Sequence, residues 1–579
     1  MHRFDVWAPL AKRVAVQAAG ISTPMHGPDE QGWWRAELEA AAAGTDYAYV
    51  LDDDPQPYPD PRSLWQPNGV HGMSRVYDQN AFAWADADFK AVSLSSAILY
   101  ELHIGTFTSQ GTLDSAISKL GSLKELGVTH VQLMPVAAFG GEFGWGYDGV
   151  ALFAVHEPYG GPEALKRFVN AAHGSGLAVL LDVVYNHFGP EGNYTGKFGP
   201  YVTDNHHTPW GGAVNFEDRW SHQVRRFFCD NALMWMRDFH IDGLRLDAVH
   251  AYVDRSAIHF LEQLEMETRA LEASTGRALV LIAESDSNDP RIVTAREAGG
   301  FGLDAQWSDD FHHALFSILC SGQQGGYYSD FGSMSHLKKA LEETFVYDGV
   351  YSIYRQRVHG RPAKNLSRHR FLGFIQNHDQ VGNRAVGDRI HECGGIDRAM
   401  VAAALVITSP FVPMIFQGEE WAASSPFQYF ADHGDAELAR RVSEGRRREF
   451  AAFGWNPTDI PDPSDRATFE RSKLKWDEMA QGDHSRMLAW YRALIRLRRS
   501  TPDLNDGEPG HTSVEFDSAA GRLEMRRGSI RVLCNLGRAI HAFRVGESAR
   551  MLLASHRHLQ IASGQLRLAS DSVAIVQEE

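Results

Sequence analysis

With 579 residues, 44% of them hydrophobic and 22% charged, the chain has the composition of a soluble globular protein and a length that calls for about two or three domains, which excludes a disordered or fibrous class. Its formal net charge of -17 repels phosphate backbones and anionic lipid, so neither nucleic acid nor a membrane is an expected partner, whereas a neutral ligand is unaffected. The opening MHRFDVWAPL lacks an apolar signal core, no stretch reaches the ~18 apolar residues of a membrane helix, and Cys229, Cys320, Cys393 and Cys534 have no paired spacing; a cytoplasmic protein with neither zinc cluster nor disulfide framework is expected.

Residues 1–92 read as a small β-sandwich, with strands FDVWAP, RVAVQA, WWRAELEA and TDYAYVLD separated by turn-rich segments. The Pro-dense PQPYPDPRSLWQPNG follows as an extended ligature, since Pro removes ladder donors. From AILYELHIGTF onward strand and helix alternate. Apolar residues at helical spacing run from Leu113 to Leu126 and stop at Gly127, before strand VTHVQLMPV. Helix PEALKRFVNAAH precedes strand LAVLLDVV, helix HQVRRFFCDNALMWMRDF precedes DGLRL, and helix SAIHFLEQLEMETRALEA precedes ALVLIAE. LDAQW, RFLGFIQNH and VPMIFQG complete eight strands, with IDRAMVAAALVITS and SRMLAWYRALIRLRR as late helices. Eight parallel strands joined by helical crossovers close most naturally into an α/β fold of the (β/α)8 TIM-barrel type, over 93–502. An open doubly wound sheet ranks lower because no Gly-rich phosphate loop follows the first strand. The long loops FGGEFGWGYDG and FGPEGNYTGKFGPYVTDNHHTPWGG are expected to shape a cleft. Short strands SVEFDS, RLEMRR, IRVLCNL and HAFRVG make a C-terminal β-domain over 503–579.

Four buried-strand runs, LLDVVYNH, GLRLDAVH, LVLIAES and FLGFIQNHD, end abruptly in polar residues and place Asp182, Asp247, Glu284 and Asp379 at one barrel mouth. Arg245 and Asp247 are two apart on a strand and share a face, so the guanidinium orients the acid as a nucleophile requires. Apolar neighbours on its strand suit Glu284 to a raised pKa and a general-acid role. Two carboxylates flanking a bond meet the requirement of glycoside hydrolysis, with Asp379 as a third. His187, His250 and His378 stand beside these acids as neutral hydrogen-bond donors for sugar hydroxyls. Taken singly, each Asp is as readily a helix cap and each His a structural residue. No HxxxH or CxxC spacing points to a metal, and no cofactor is expected.

These runs, in this order, resemble the conserved regions of the alpha-amylase superfamily of glycoside hydrolases. DVVYNHFGPEGNY, FHIDGLRLDAVH, AESDSNDPR, LDAQWSDDFHHAL, QNHDQVGNRA and FQGEEW are similar, more closely, to its maltooligosyltrehalose trehalohydrolase subfamily. The resemblance implies Asp247 as nucleophile, Glu284 as general acid/base and Asp379 as transition-state stabiliser. It implies Arg245, His187, His250, His378 and Asn377 around the cleaved sugar, Tyr147 as its stacking floor, and Asp309, Asp310, His313, Gln380 and Asn383 as further substrate contacts. Asp309 and Asp310 are equally placed to cap the helix that follows. The implied reaction is hydrolysis, with retention, of the α-1,4 bond next to the terminal trehalose of maltooligosyl trehalose, in a monomer acting after maltooligosyltrehalose synthase. A glucan branching or debranching enzyme is the alternative, and a non-catalytic carbohydrate-binding protein is disfavoured because all three carboxylates are present. The subfamily usually carries a few residues before FDVWAP, which implies a shortened N-terminus here.

Overall fold

The barrel strands alternate in what they bury, and that alternation builds the site. The computed structural model describes residues 1–320, 325–452, 455–556 and 559–578. Eight parallel strands close into a barrel: β1 (Leu99–Leu102), β2 (His130–Leu133), β3 (Ala178–Val183), β4 (Gly243–Leu246), β5 (Val280–Ala283), β6 (Ala305–Trp307), β7 (Phe371–Gly373) and β8 (Val412–Phe416). These are the eight strands read from the sequence, and β8 pairs with β1 to complete the ring. Side chains two apart on a strand share a face. Leu99, Leu180, Ile282, Ala305, Leu372 and Met414 fill the lower interior as one apolar cluster, while Glu101 and Asp182 stand two residues above Leu99 and Leu180, at the mouth. The opposite faces pack on the outer helices.

Helices over Gly161–Gly174, Ser221–Asp238, Phe260–Thr275, Asp309–Leu319, Ile390–Thr408 and Gly482–Ser500 occupy the expected positions. The helix expected over Leu113 to Leu126 is two pieces, Leu113–Ile117 and Leu120–Leu126. The Ser118 and Lys119 amides bond three residues back, to Ser115 and Ala116, which tightens and interrupts the coil. Gly127 ends the second piece at φ 104°, a conformation that favours glycine.

β-Rich domains lie at both termini. At the N-terminus His2–Trp7 pairs with Trp33–Leu38, and a four-stranded sheet runs Ile21–Pro24, Val14–Ala18, Asp46–Leu51, Ser74–Arg75. Arg62 fastens this region to the barrel by an ion pair with Asp230 at 2.8 Å, its guanidinium lying over Phe153 and Phe227. The C-terminal sheets have five and three strands. Buried Arg498, on the Gly482–Ser500 helix, and Arg527, in the C-terminal domain, donate to the carbonyls of Ile407, Thr408 and Ser409, placing two cations at the negative end of the Ile390–Thr408 helix.

The cysteines differ from expectation. Cys320, at the end of the Asp309–Leu319 helix, is disulfide-bonded to Cys393 on the next barrel helix, with Cα atoms 5.8 Å apart. Cys229 and Cys534 are buried free thiols. A separation of 73 residues hides this pairing from a reading of local spacing, because it exists only once adjacent barrel units are stacked. No helix of the described residues is long and apolar enough to cross a membrane.

Candidate active site

The mouth is organised by one guanidinium. Arg245 is buried, with its Cζ 4.4 Å from the Trp307 ring centroid. Its Nη1 donates to both oxygens of Asp182 at 2.8 Å and to Asp247 Oδ1 at 2.7 Å. Nη2 lies 3.7 Å from Glu284 Oε2. Asp182, Asp247 and Glu284, from the ends of three adjacent strands, therefore surround a single cation. Burial of a paired charge cluster of this kind is tolerated only when all members are present; removing one partner costs about 3–5 kcal/mol.

Glu284 accepts a hydrogen bond from the Ala248 amide at 2.5 Å. Burial raises its carboxyl to about 7 against the opposing pull of Arg245, with Asp247 adding to the rise. Asp182 is likewise raised to about 7 by burial, opposed by Arg245. Asp379 is raised by burial, opposed by His378 and Arg245, and Asn383 donates to its Oδ1 at 2.5 Å.

Tyr147 donates to Asp182 Oδ2 at 2.6 Å and stacks on His378, with ring centroids 5.1 Å apart at 22°. His378 departs from the sequence expectation of a neutral donor to sugar. Both its ring nitrogens are engaged inside the protein, Nδ1 with Glu101 at 2.7 Å and Nε2 with Tyr147 at 2.8 Å. Burial lowers its pKa, but the Glu101 carboxylate outweighs burial and the net shift is upward. His187 does fit a neutral ring, since burial lowers its pKa; it is stacked on Trp210 at 5.4 Å and its Nδ1 has no protein partner. His250 is exposed, 4.0 Å from Asp286.

The remaining candidates divide. Asn377 is the N-cap of the short helix His378–Gly382, accepting from the Gln380 amide at 2.7 Å, a positioning task. Gln380 accepts from the hydroxyls of Tyr327 and Tyr328. His313 is buried among Tyr327, Tyr328 and Phe331. Asp309 and Asp310 lie in the first turn of the Asp309–Leu319 helix, whose N-cap position is Ser308, so neither is the cap. Asp310 is buried, and its Oδ2 accepts from the amides of Val346 and Tyr347 and from Asn288. The lone pairs of this oxygen hold the 346–347 loop, a structural task. Asp309 faces the carboxylates of Glu284, Asp286 and Asp379, which with burial push its pKa well up.

Sequence reasoning missed three groups here. Glu101 stands near the end of β1 in AILYEL, close to the apolar-run-then-acid signal that marked the others. Trp210 projects from the hairpin of Val202–Thr208 and Gly211–Val214, inside a loop assigned only to the cleft in general. Arg355, on the hairpin of Val350–Ser352 and Arg357–His359, pairs with Asp286 at 2.9 Å; no local pattern announces that hairpin. Among the described residues no cluster of three His, Cys, Asp or Glu is arranged to hold a metal ion.

Chemically, the mouth can supply a carboxylate held by a cation, a second carboxyl that stays protonated to near neutrality, and aromatic faces. Comparison with known proteins accords with that. A family model for the alpha-amylase catalytic domain matches residues 76–207. The malto-oligosyltrehalose trehalohydrolase of Rhizobium sp. strain M-11 is 47% identical, the match covering 100% of this chain and 98% of the relative. The crystal structure of a Salmonella typhimurium protein assigned as an alpha amylase superposes with a TM-score of 0.90 at 36% identity, covering 100% of this chain and 97% of that one. Type I pullulanase from Bacillus subtilis, with TM-score 0.74 at 16% identity over 99% of this chain and 83% of its own, shares the fold alone.

Proposed function

The chain belongs to the malto-oligosyltrehalose trehalohydrolase family, and on that premise we propose that it hydrolyses the α-1,4-glucosidic bond next to the terminal trehalose of maltooligosyl trehalose, releasing trehalose and a maltooligosaccharide. The observation that carries the reading is the sharing of Arg245 by Asp247 and Glu284, two carboxyl groups in unlike environments at one mouth. Asp247 attacks the anomeric carbon while Glu284 gives its proton to the departing trehalose oxygen, forming a glycosyl-enzyme. Water activated by the now ionised Glu284 then attacks the same carbon, so the new reducing end is the α-anomer. Asp379, bonded by Asn383, holds hydroxyls of the distorted ring, and Tyr147 is its floor.

Selectivity lies on the leaving-group side, since the carboxylates treat any α-1,4 glucosidic bond alike. Trehalose differs from maltose in its α,α-1,1 linkage, which turns the last ring and removes the reducing end. Polar groups placed for that geometry go unpaired when maltose occupies the same subsites, at about 1–3 kcal/mol each. Asp286 after β5, Asp309 after β6 and Arg355, which reaches Asp286 from the hairpin before β7, are such groups. The substrate is supplied by a synthase that forms the trehalose end. The test is kcat/KM on maltooligosyl trehalose against a plain maltooligosaccharide of equal length, where two such losses predict a preference on the order of a hundredfold. Equal values, or new α-1,6 branches in a long glucan, would favour an amylase or a branching enzyme.

A further inference from the structure

Glu101 is fully buried at the end of β1 and has no place in the reaction steps above. Its Oε2 accepts from the His378 backbone amide at 2.9 Å and its Oε1 from His378 Nδ1 at 2.7 Å, with Gln132 Nε2 at 3.4 Å. Across the ring, His378 Nε2 meets the Tyr147 hydroxyl, which in turn meets Asp182, which accepts both contacts from Arg245. Glu101 is thus joined to Arg245, and so to Asp247, through His378, Tyr147 and Asp182 in one unbroken hydrogen-bonded chain.

Counting protons along this chain limits its charge state. The phenol has one proton. If it goes to Asp182, the Tyr147 oxygen accepts on its other side and His378 Nε2 must carry a hydrogen. Nδ1 faces a carboxylate and carries one as well. The ring is then an imidazolium, countered by Glu101. The opposite arrangement moves a proton to Asp182 and turns the hydroxyl toward a neutral His378. Burial alone favours a protonated Asp182, which is raised to about 7, but that proton would weaken both contacts from Arg245 and leave Glu101 buried beside an uncharged ring; both changes discard favourable charge pairing in a buried site. The other charged or titratable groups facing this ring are Asp379 from its own helix, Arg245 from β4 and His103, just after β1, which burial keeps neutral. Trp145 and Trp307 close it off with ring contacts at 5.5 Å and 6.0 Å.

We propose that Glu101 is a positioning residue of the active site: it holds His378 as an imidazolium that donates from both ring nitrogens, and through Tyr147 that ring fixes the Asp182 carboxylate and the Arg245 fork that orients Asp247. A neutral His378 frees the Tyr147 hydroxyl to point either way, and Asp182 loses the bond that sets its plane. The inference rests on reading this mouth as the active site, but its first test needs no turnover.

In enzyme labelled with 15N-histidine, the two ring nitrogens of His378, assigned by the signals lost in His378→Gln, should both show the protonated imidazolium shift at pH 7. A neutral-imidazole pattern there overturns the proposal without any variant having to fold. In Glu101→Gln, which keeps the shape and removes the charge, the ring should become neutral at pH 7, and kcat on maltooligosyl trehalose should fall about tenfold or more with KM changed less than about threefold. An unchanged His378 signal in Glu101→Gln, or a loss confined to KM, also overturns it. If the nitrogen shifts behave as stated while another glucan proves the better substrate, the functional reading fails and this inference stands.

Discussion

Asp247 and Glu284 meet the same guanidinium, at 2.7 Å and 3.7 Å from Arg245, yet they are poised differently. Asp247 shares the Nη1 atom with Asp182, whereas Glu284 is reached at longer range and is raised to about 7 by burial. One cation therefore serves an acid that must attack and an acid that must first give a proton.

Replacing the two carboxyl groups separates their roles. Asp247→Asn and Glu284→Gln should each lower kcat on maltooligosyl trehalose by on the order of 10³-fold or more with the fold retained. On a maltosyl fluoride, whose leaving group needs no proton, Glu284→Gln should recover most of its glycosylation rate and Asp247→Asn should not. Near-normal turnover of the unactivated substrate by Glu284→Gln would show that another group supplies the proton.

The pH dependence follows from the same environment. Glu284 must be protonated to act as acid, and its carboxyl sits at about 7, so kcat/KM should fall as pH rises through about 7, by tenfold per unit well above that value. The limb should be absent with the fluoride substrate. An alkaline limb at the same pH on both substrates would assign it to a different group, Asp182 being the first to examine because it too is raised to about 7.

Much of this arrangement was legible in the sequence because barrel strands are buried on both faces and read as apolar runs, so the acids that end them stand out. Asp247, Glu284 and Asp379 were found that way and converge at one mouth. Glu101 carries a similar signature in ILYE, but one more apolar residue follows it, so the break that marks the other acids is blurred. Asp309 and Asp310 are harder to separate, because adjacent residues in the first turn of a helix point about 100° apart and sequence does not say which of them faces the other carboxylates and which holds the 346–347 loop. Arg355 and the Cys320–Cys393 pair depend on contacts between distant segments, where local pattern carries no information.

The cysteine pairing has a simple chemical readout. In denaturant without reductant two thiols per chain should titrate, Cys229 and Cys534, and four after reduction. Closing a loop of this length contributes about 2–4 kcal/mol, so Cys320→Ser should lower the thermal midpoint by several degrees in oxidising buffer and have little effect in reductant. Four thiols from unreduced protein would mean that the two sulfurs are not joined in solution.

A second pair of buried acids should make stability fall with rising pH. Glu419 and Glu420 follow β8, and burial raises them to about 7 and about 8. Glu419 accepts from the Tyr491 hydroxyl at 2.5 Å and Glu420 from Tyr100 at 2.9 Å, and Arg389 is the nearby cation. A carboxyl whose folded pKa lies above its unfolded value near 4.5 binds more protons folded than unfolded between those two values. Its contribution is fully present below the unfolded pKa and is lost as pH rises through the folded one. Unfolding free energy should therefore decline from about pH 5 to about pH 8. Glu420→Gln is permanently uncharged and still accepts from Tyr100, so it removes part of that decline. The variant should match the parent near pH 5 and exceed it by about 1–3 kcal/mol near pH 9, the range for relieving an imperfectly compensated buried charge. Urea unfolding at the two pH values measures both differences. A variant destabilised equally at both would place the value of Glu420 in its hydrogen bond instead of its protonation.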